Sequence, residues 1–219
     1  MKVAIVYSHF PHYRKAVFES LLSNNEIEFK LYVGSVGELN GIKCVENNQV
    51  SVLHTKRIGL FYFQSGFLPI LRKESFDAII FLGDWKIISY WIYVLAAKFS
   101  SVKVLFWTHG WLRTRGFIHR FITNAFYSLA DGILVYGDRA RDIGIAQGFD
   151  GDRISVIYNS LDIENQISQI PRLVNNDKSD RYFLSLGRLT LALDLSLMLK
   201  AMKRSRDERS ITMHLKVVG

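Results

Sequence analysis

The chain has 219 residues, of which 49% are hydrophobic and 22% charged with only three prolines, a composition that indicates a folded globular protein and excludes long disorder. Since domains typically run to about 100 to 150 residues, this length allows one complete domain and part of a second. Lysine and arginine outnumber the acids by 28 to 20, and the formal net charge of +8 favours an anionic partner: a phosphate-bearing ligand, a membrane surface or nucleic acid.

Short apolar runs of strand length recur along the first part of the chain. In chain order they predict buried strands at Val3–Tyr7, Ala78–Leu82, Val102–Trp107, Ile133–Tyr136 and Ile154–Tyr158. Each run is continuously apolar, which is typical of parallel strands that are buried on both faces. The first domain is therefore predicted to contain a parallel sheet.

Candidate helices alternate with these strands, at Tyr13–Leu22, Trp85–Phe99, Phe117–Leu129 and Arg139–Gln147. The order of strand, helix, strand and helix predicts an α/β fold with a doubly wound, Rossmann-like sheet. Two weaker strands are predicted at Glu28–Val33 and Ser51–Thr55. Between them, the glycine- and asparagine-containing stretch from Gly34 to Asn48 is interpreted as a loop.

A polar segment from Asp162 to Asp180 interrupts this pattern, and a new apolar run begins after it. We assign residues 1–170 to a first domain, 171–180 to a linker and 181–219 to the incomplete start of a second Rossmann-like domain. The second domain is predicted to begin with a strand, a helix and a strand, at Tyr182–Leu186, Leu191–Arg204 and Thr212–Val218.

Polar residues follow the strands of the first domain. In open parallel sheets, ligands bind beyond the carboxyl ends of the strands, so these residues are expected to line one rim. They supply hydrogen-bonding groups, aromatic faces and cations, which is the chemistry for holding a sugar beside a phosphate. Ordinary loop polarity explains any single loop, whereas five aligned loops predict a site. The rim residues are His9, His12, Tyr13, Arg14, Asp84, His109, Trp111 and Asn159.

His109 is the strongest candidate on this rim for a residue that faces a ligand. A single histidine in a sequence is more often structural than functional. Here, however, it lies in a Thr-His-Gly sequence at a strand end, where the glycine allows a ligand to approach closely. We therefore expect His109 to face a ligand.

Five short segments stand in order along the chain, at Phe10–Arg14, Thr108–Gly110, Ala130–Tyr136, Val156–Asp162 and Leu186–Thr190. Together they resemble the landmarks of glycosyltransferase family four, a family of retaining enzymes with the GT-B fold. The resemblance implies that the first domain is the acceptor-side Rossmann-like domain of such an enzyme. The second domain is then the truncated start of its donor-binding domain.

The same resemblance implies roles for individual residues. His109 would be catalytic and would approach the donor sugar. Donor binding would involve Arg188, Gly187 and Asn159, and acceptor binding would involve His9, His12, Tyr13, Arg14, Asp84 and Trp111. A planar, permanently charged arginine suits a leaving diphosphate.

The implied donor is a nucleotide sugar and the implied acceptor is a growing glycan or a lipid-linked saccharide, with no metal or other cofactor. Two departures from the family pattern concern the donor side. Leu193 stands where the family has a second basic residue, and the family's paired glutamates would lie beyond Gly219. We therefore expect the chain by itself to be inactive.

An alternative function is a non-catalytic module that binds an acceptor or docks on a separate donor-binding polypeptide. Nucleic-acid binding is not predicted, because the basic residues are scattered and no recognised nucleic-acid motif accompanies them. The sequence also lacks a phosphate loop ending in lysine, a dinucleotide fingerprint, a zinc-protease motif and a serine elbow.

The cysteine content and the apolar runs bear on the location of the protein and on membrane contact. A single cysteine, Cys44, excludes an intramolecular disulfide and favours a reducing cytoplasm. No apolar run reaches the roughly 20 residues that span a bilayer. The segments 60–68 and 113–121 combine aromatic residues with cations and could touch a membrane or a lipid-linked acceptor. For each segment alone, however, we expect core aromatics beside a solvated basic face.

Overall fold

The computed structural model describes residues 1–34, 38–39, 42–43, 49–111, 116–160, 167–168, 182–187, 195–210 and 213–218. It divides into two compact units, Met1–Ile167 and Ser168–Gly219. The predicted linker 171–180 lies outside the described residues, so its boundaries stay a prediction.

The first unit contains eleven strands among its described residues. They are β1 (Lys2–Tyr7), β2 (Glu28–Val33), β3 (Glu38–Leu39), β4 (Ile42–Lys43), β5 (Val50–Val52), β6 (His54–Ile58), β7 (Phe61–Ser65), β8 (Ala78–Leu82), β9 (Lys103–Thr108), β10 (Gly132–Val135) and β11 (Ile154–Val156). Seven of them form one sheet in the order β11-β10-β9-β8-β1-β2-β5. All pairings within this sheet are parallel, as the continuous apolar runs predicted.

Among the described residues of this unit, five α-helices accompany the strands: α1 (Lys15–Leu22), α2 (Phe67–Lys73), α3 (Ile88–Phe99), α4 (Phe117–Tyr127) and α5 (Asp138–Ala146). Side chains of β1 alternate between two apolar clusters. Ala4 and Val6 join the cluster formed with α2 to α5, and Ile5 and Tyr7 join the cluster formed with α1. Because both faces of the sheet are covered, the fold is α/β and doubly wound, and that prediction is confirmed.

The prediction of a single strand at Ser51–Thr55 is wrong. The chain leaves the sheet at Leu53, a buried residue whose backbone N–H donates to the Val33 carbonyl at 2.6 Å. It then enters an antiparallel hairpin of β6 and β7. The hairpin turns at Gly59 and Leu60, and Gly59 has a φ of +60°, which glycine adopts without strain.

Buried Gln64 of β7 holds the hairpin against the sheet. Its Nε2 donates to the Tyr7 carbonyl at 2.9 Å, and its backbone N–H donates to Ser89 Oγ of α3 at 2.9 Å. Neither this hairpin nor α2 was predicted from the sequence. The predicted loop 34–48 also contains a short antiparallel pair, β3 with β4.

The second unit contains the strand, helix and strand that were expected, with different bounds for two of them. They are β12 (Tyr182–Leu186), α6 (Leu195–Arg209) and β13 (His214–Val218). The two strands pair in parallel. This arrangement is a single strand–helix–strand crossover.

Candidate functional site

A cavity of about 480 Å³ opens at the carboxyl edge of the parallel sheet. Loops that follow β1, β8 and β9 line it together with residues of α4 and α5. The strands are neighbours in the sheet, so their carboxyl ends meet at this edge, as the rim prediction required. Polar lining residues include Ser8, His9, Asp84, Lys86, Thr108, His109, His119, Arg120, Thr123, Arg139 and Gln147.

Hydrogen bonds around Thr108 fix the floor of the cavity. Thr108 Oγ1 donates to the Gly83 carbonyl at 3.2 Å and lies 2.8 Å from the Tyr127 hydroxyl. The backbone N–H of Gly110 donates to the same Thr108 Oγ1 at 3.1 Å, and Gly110 has a φ of +64°. The backbone on both sides of His109 is therefore held in place, and the glycine allows the chain to turn immediately after it.

Asp84 and Trp111 both line the cavity, in different ways. Asp84 is half-buried, and its Oδ1 accepts a hydrogen bond from the Lys86 backbone N–H at 3.0 Å. Trp111 is 5% exposed, and its Nε1 donates to Asn124 Oδ1 at 2.9 Å. Trp111 thus contributes a packed wall, whereas Asp84 retains carboxylate oxygen capacity for a hydroxyl donor.

Arg14 lies at the same edge of the sheet as a buried cation, 6% exposed. Its Nη1 donates to the Tyr136 hydroxyl at 2.6 Å and its Nη2 donates to Asn159 Oδ1 at 3.0 Å. The guanidinium carbon lies 4.8 Å from the centre of the Tyr136 ring and 5.7 Å from that of Trp107. The turn His12–Arg14 is thereby joined to the loops that follow β10 and β11.

His109 is linked to this cation through Tyr136, because the centres of the His109 and Tyr136 rings are 4.8 Å apart. Partial burial lowers the pKa of His109 below its ordinary value of 6.5, and the positive charge of Arg14 lowers it further. The same two causes lower the pKa of His9, whose Nδ1 lies 2.9 Å from Ser8 Oγ. At neutral pH both imidazoles are therefore neutral, and each can accept a proton or a hydrogen bond.

The structure brings His9, Asp84, His109 and Trp111 together around one cavity. The other three predicted acceptor residues lie elsewhere. Arg14 is buried, His12 is exposed and Tyr13 is half-buried, and the rings of His12 and Tyr13 contact each other with centres 5.6 Å apart. These three do not line the cavity.

The three predicted donor residues differ in their surroundings. Asn159 is exposed and accepts from Arg14. Gly187 follows β12 in the second unit, and its backbone N–H donates to the Val218 carbonyl at 3.0 Å. Arg188 lies outside the described residues. The roles of all these residues stay predictions.

Sequence reasoning missed the contribution of α4 to the cavity. His119, Thr123 and Tyr127 line it, at a spacing of four residues along the helix. Thr123 Oγ1 donates to the His119 carbonyl at 2.8 Å. Three polar side chains at this spacing share one helix face, but apolar residues lie on the other faces too, so this local signal could not show that the face borders a cavity.

Among the described residues, no group of three or more histidine, cysteine, aspartate or glutamate side chains is arranged to hold a metal ion. Across the same parts of the chain, no helix combines the length and apolar character needed to cross a bilayer.

Comparisons with known proteins give one family match. The model of Glycosyltransferase Family 4 matches residues 28–165. No curated protein matches the chain.

Several solved structures share the fold. The apo form of the lipopolysaccharide outer core galactosyltransferase WaaB is 18% identical, with 99% of this chain and 60% of that chain covered and a TM-score of 0.57. UDP-GlcNAc 2-epimerase from Neisseria meningitidis, bound to UDP-GlcNAc, is 14% identical, with 100% and 66% covered and a TM-score of 0.53. The Methanocaldococcus jannaschii UDP-GlcNAc 2-epimerase is 13% identical, with the same coverage and a TM-score of 0.55. The chain spans about 60% to 66% of the length of these three proteins.

Proposed function

We propose, because this chain belongs to Glycosyltransferase Family 4, that it serves in the transfer of a sugar from a nucleotide-sugar donor to a growing glycan or a lipid-linked saccharide. Its larger unit binds the acceptor in the cavity at the carboxyl edge of the sheet. The observation that carries this proposal is the convergence of neutral His9, neutral His109 and Asp84 on that cavity.

The chemistry of the lining suits a sugar. A carboxylate and a neutral imidazole both accept hydrogen bonds from hydroxyl groups, and Trp85 adds an aromatic face for the apolar side of a pyranose ring. Lys86, Arg120 and Arg139 give the cavity a positive lining that favours an anionic group such as a diphosphate.

Solved structures with the same fold support a nucleotide sugar as the proposed donor. The Neisseria meningitidis and Methanocaldococcus jannaschii epimerases have been solved with UDP-GlcNAc, and WaaB is named a galactosyltransferase. We assign donor contacts to Gly187 and Arg188, and we place the chemical step beside His109.

Saturation-transfer NMR on the 219-residue chain tests the binding part of this proposal. The probes are methyl glycosides of glucose, galactose and N-acetylglucosamine, and the nucleotide sugars UDP-glucose, UDP-galactose and UDP-GlcNAc. His109→Ala should weaken binding of the recognised glycoside by about tenfold, the worth of one or two hydrogen bonds. His12→Ala is the matched control, since His12 is an exposed histidine outside the cavity. Absence of binding by the wild-type chain, or an equal effect of both variants, would contradict the proposal.

A non-catalytic acceptor-binding module is the second candidate. It is favoured by the position of the cavity, whose lining residues all belong to the larger unit. Mass spectrometry of an incubation with a bound glycoside and a nucleotide sugar tests the first function, because a product heavier by one sugar identifies the transferase. Glycoside binding without product is compatible with both functions, so a stable complex with a separate donor-binding polypeptide, detected by co-purification, identifies the module.

A further inference from the structure

Two segments of the larger unit expose large apolar side chains beside the cavity. At the turn of the β6–β7 hairpin, Leu60 is 77% exposed and Phe61 is 38% exposed. On α4, Phe117 and Ile118 are each 73% exposed and Phe121 is 65% exposed. We name these five residues the apolar rim. Their exposure shows that the expectation of core aromatics is wrong for these positions, although Phe67 further along is fully buried.

The side chain of Trp85 connects the two segments. The ring of Phe61 lies 6.2 Å from that of Trp85, and Trp85 lies 5.5 Å from the ring of His119 on α4. Trp85 and His119 also line the cavity. The hairpin turn and the first turns of α4 therefore lie on the same side of the unit, at the mouth of the site.

Helix α4 packs on the core with its opposite face. Thr123, Phe126 and Tyr127 are buried, whereas Phe117 and Phe121 stack on each other in solvent with ring centres 6.5 Å apart. Adjacent apolar side chains held this far from the core mark an interaction surface, because isolated exposed residues are common but clustered ones are not.

The charge of these segments identifies the partner. Residues 47–73 and 112–130 contain no aspartate or glutamate, and they carry the exposed cations Lys56, Arg57 and Arg120. The Arg120 guanidinium lies 5.9 Å from the centre of the Phe117 ring. Aromatic and aliphatic side chains interleaved with cations match the interface of an anionic bilayer, where the rings enter the headgroup region and the cations contact phosphate.

We propose that the apolar rim docks the larger unit on an anionic lipid surface, with the mouth of the cavity at the level of the headgroups. Docking is independent of sugar transfer. The reason for it, delivery of a lipid-linked acceptor to the cavity, rests on the proposed function. A symmetric contact between two copies is disfavoured, since it would bring Lys56, Arg57 and Arg120 against the same cations of the second copy.

Vesicle flotation of the 219-residue chain tests the docking without any sugar present. One set of vesicles contains phosphatidylcholine and phosphatidylglycerol in equal amounts, and the other contains phosphatidylcholine alone. The wild-type chain should partition onto the anionic vesicles at least about tenfold more strongly than onto the neutral ones. The double substitution Phe117→Ser with Phe121→Ser should reduce partitioning onto anionic vesicles by at least about tenfold, because both side chains are already in solvent and only their insertion is lost.

Phe99→Ser is the matched control. Phe99 is 91% exposed at the end of α3, outside the apolar rim, so its loss should change partitioning by less than about twofold. The second unit exposes apolar residues such as Leu186 and Leu197, but these are the same in every variant and cannot account for a difference between them.

Four results would overturn the docking proposal: no partitioning of the wild-type chain, equal partitioning onto neutral and anionic vesicles, equal losses in the rim variant and in Phe99→Ser, or a dimer in sedimentation velocity that the rim substitutions dissociate. Sugar binding measured on the rim variant separates the two proposals. Intact glycoside binding with lost vesicle binding leaves the proposed function standing on its own.

Discussion

Arg14 is a charged side chain that the core accommodates because its neighbours compensate for the loss of water. Two hydrogen bonds and two aromatic faces surround its guanidinium, while its Nε has no hydrogen-bond partner within the described residues. The sequence predicted Arg14 as an acceptor contact. The structure places it where its charge acts on His9 and His109.

Arg14→Met should raise the pKa of both His9 and His109. A nearby positive charge disfavours the imidazolium form, so its removal makes protonation easier. Burial, the larger cause of the lowered pKa values, remains and keeps them below 6.5. The measurement is a pH titration of the histidine ring signals by NMR, with the six histidines assigned by substitution.

Arg14→Lys is the control for this titration, since lysine keeps the charge and loses the planar fork. The pKa values of His9 and His109 should rise less in Arg14→Lys than in Arg14→Met. Unchanged values in Arg14→Met would mean that the cation does not influence the cavity.

Helix α5 shows how packing can reverse an intrinsic preference. Gly144 lies in its interior, and a Cβ atom placed there would come within 2.7 Å of Trp111 Cε3 and 2.9 Å of Ile154 Cδ1. Helix propensity alone predicts that alanine would stabilise this position by about 1 kcal/mol. The contact instead leaves no room for a methyl group without moving Trp111, which forms a wall of the cavity.

Gly144→Ala should therefore destabilise the chain, by about 1 to 3 kcal/mol, the usual cost of overpacking. Urea denaturation followed by tryptophan fluorescence measures the change. Gly137→Ala is the comparison, because Gly137 has an extended φ of −174° and nothing within 4 Å of its Cβ position. A stabilised Gly144→Ala variant would show that propensity dominates at this site.

The sequence predicts the β6–β7 hairpin and the exposure of the outer face of α4 less well than it predicts the central strands. The segment Phe61–Ser65 mixes aromatic and polar residues, because one side of the hairpin contacts α3 while the tip is exposed. The turn signal was present in Gly59, the first residue of a two-residue connection. For α4, apolar residues occupy both faces, so periodicity could not show which face is in the core.

Across the molecule, burial is distributed unevenly between the two units. Val104 and Phe106 of β9 are fully buried, whereas in β12 Tyr182 is 47% exposed and Leu186 is 70% exposed. Local stability follows the number of buried apolar contacts around a strand. The two units are therefore expected to open with different free energies.

Hydrogen exchange followed by mass spectrometry should show this difference in the intact chain. Amides of β1, β8 and β9 should exchange at least about a hundredfold more slowly than amides of β12 and β13, because the former open only when the central sheet unfolds. Equal protection of the two sets would indicate that the chain unfolds as one cooperative unit.

The sequence alone establishes the α/β class, the parallel sheet and the positions of its central strands. A strand buried on both faces must be continuously apolar, and this local signal is visible without any knowledge of the partners. It also identifies the loops that follow the strands as the candidate rim, because parallel strands bring their carboxyl ends to one edge.

The membership of the cavity depends on contacts between distant segments. His109 meets Arg14 through Tyr136, and α4 turns His119 inward while Phe117 faces solvent. These outcomes are set by which helix face finds cover and by how the loops pack on each other, and neither is encoded in a local pattern. For the same reason, only the tertiary structure shows that the aromatic side chains of Phe117 and Phe121 beside the cavity are exposed.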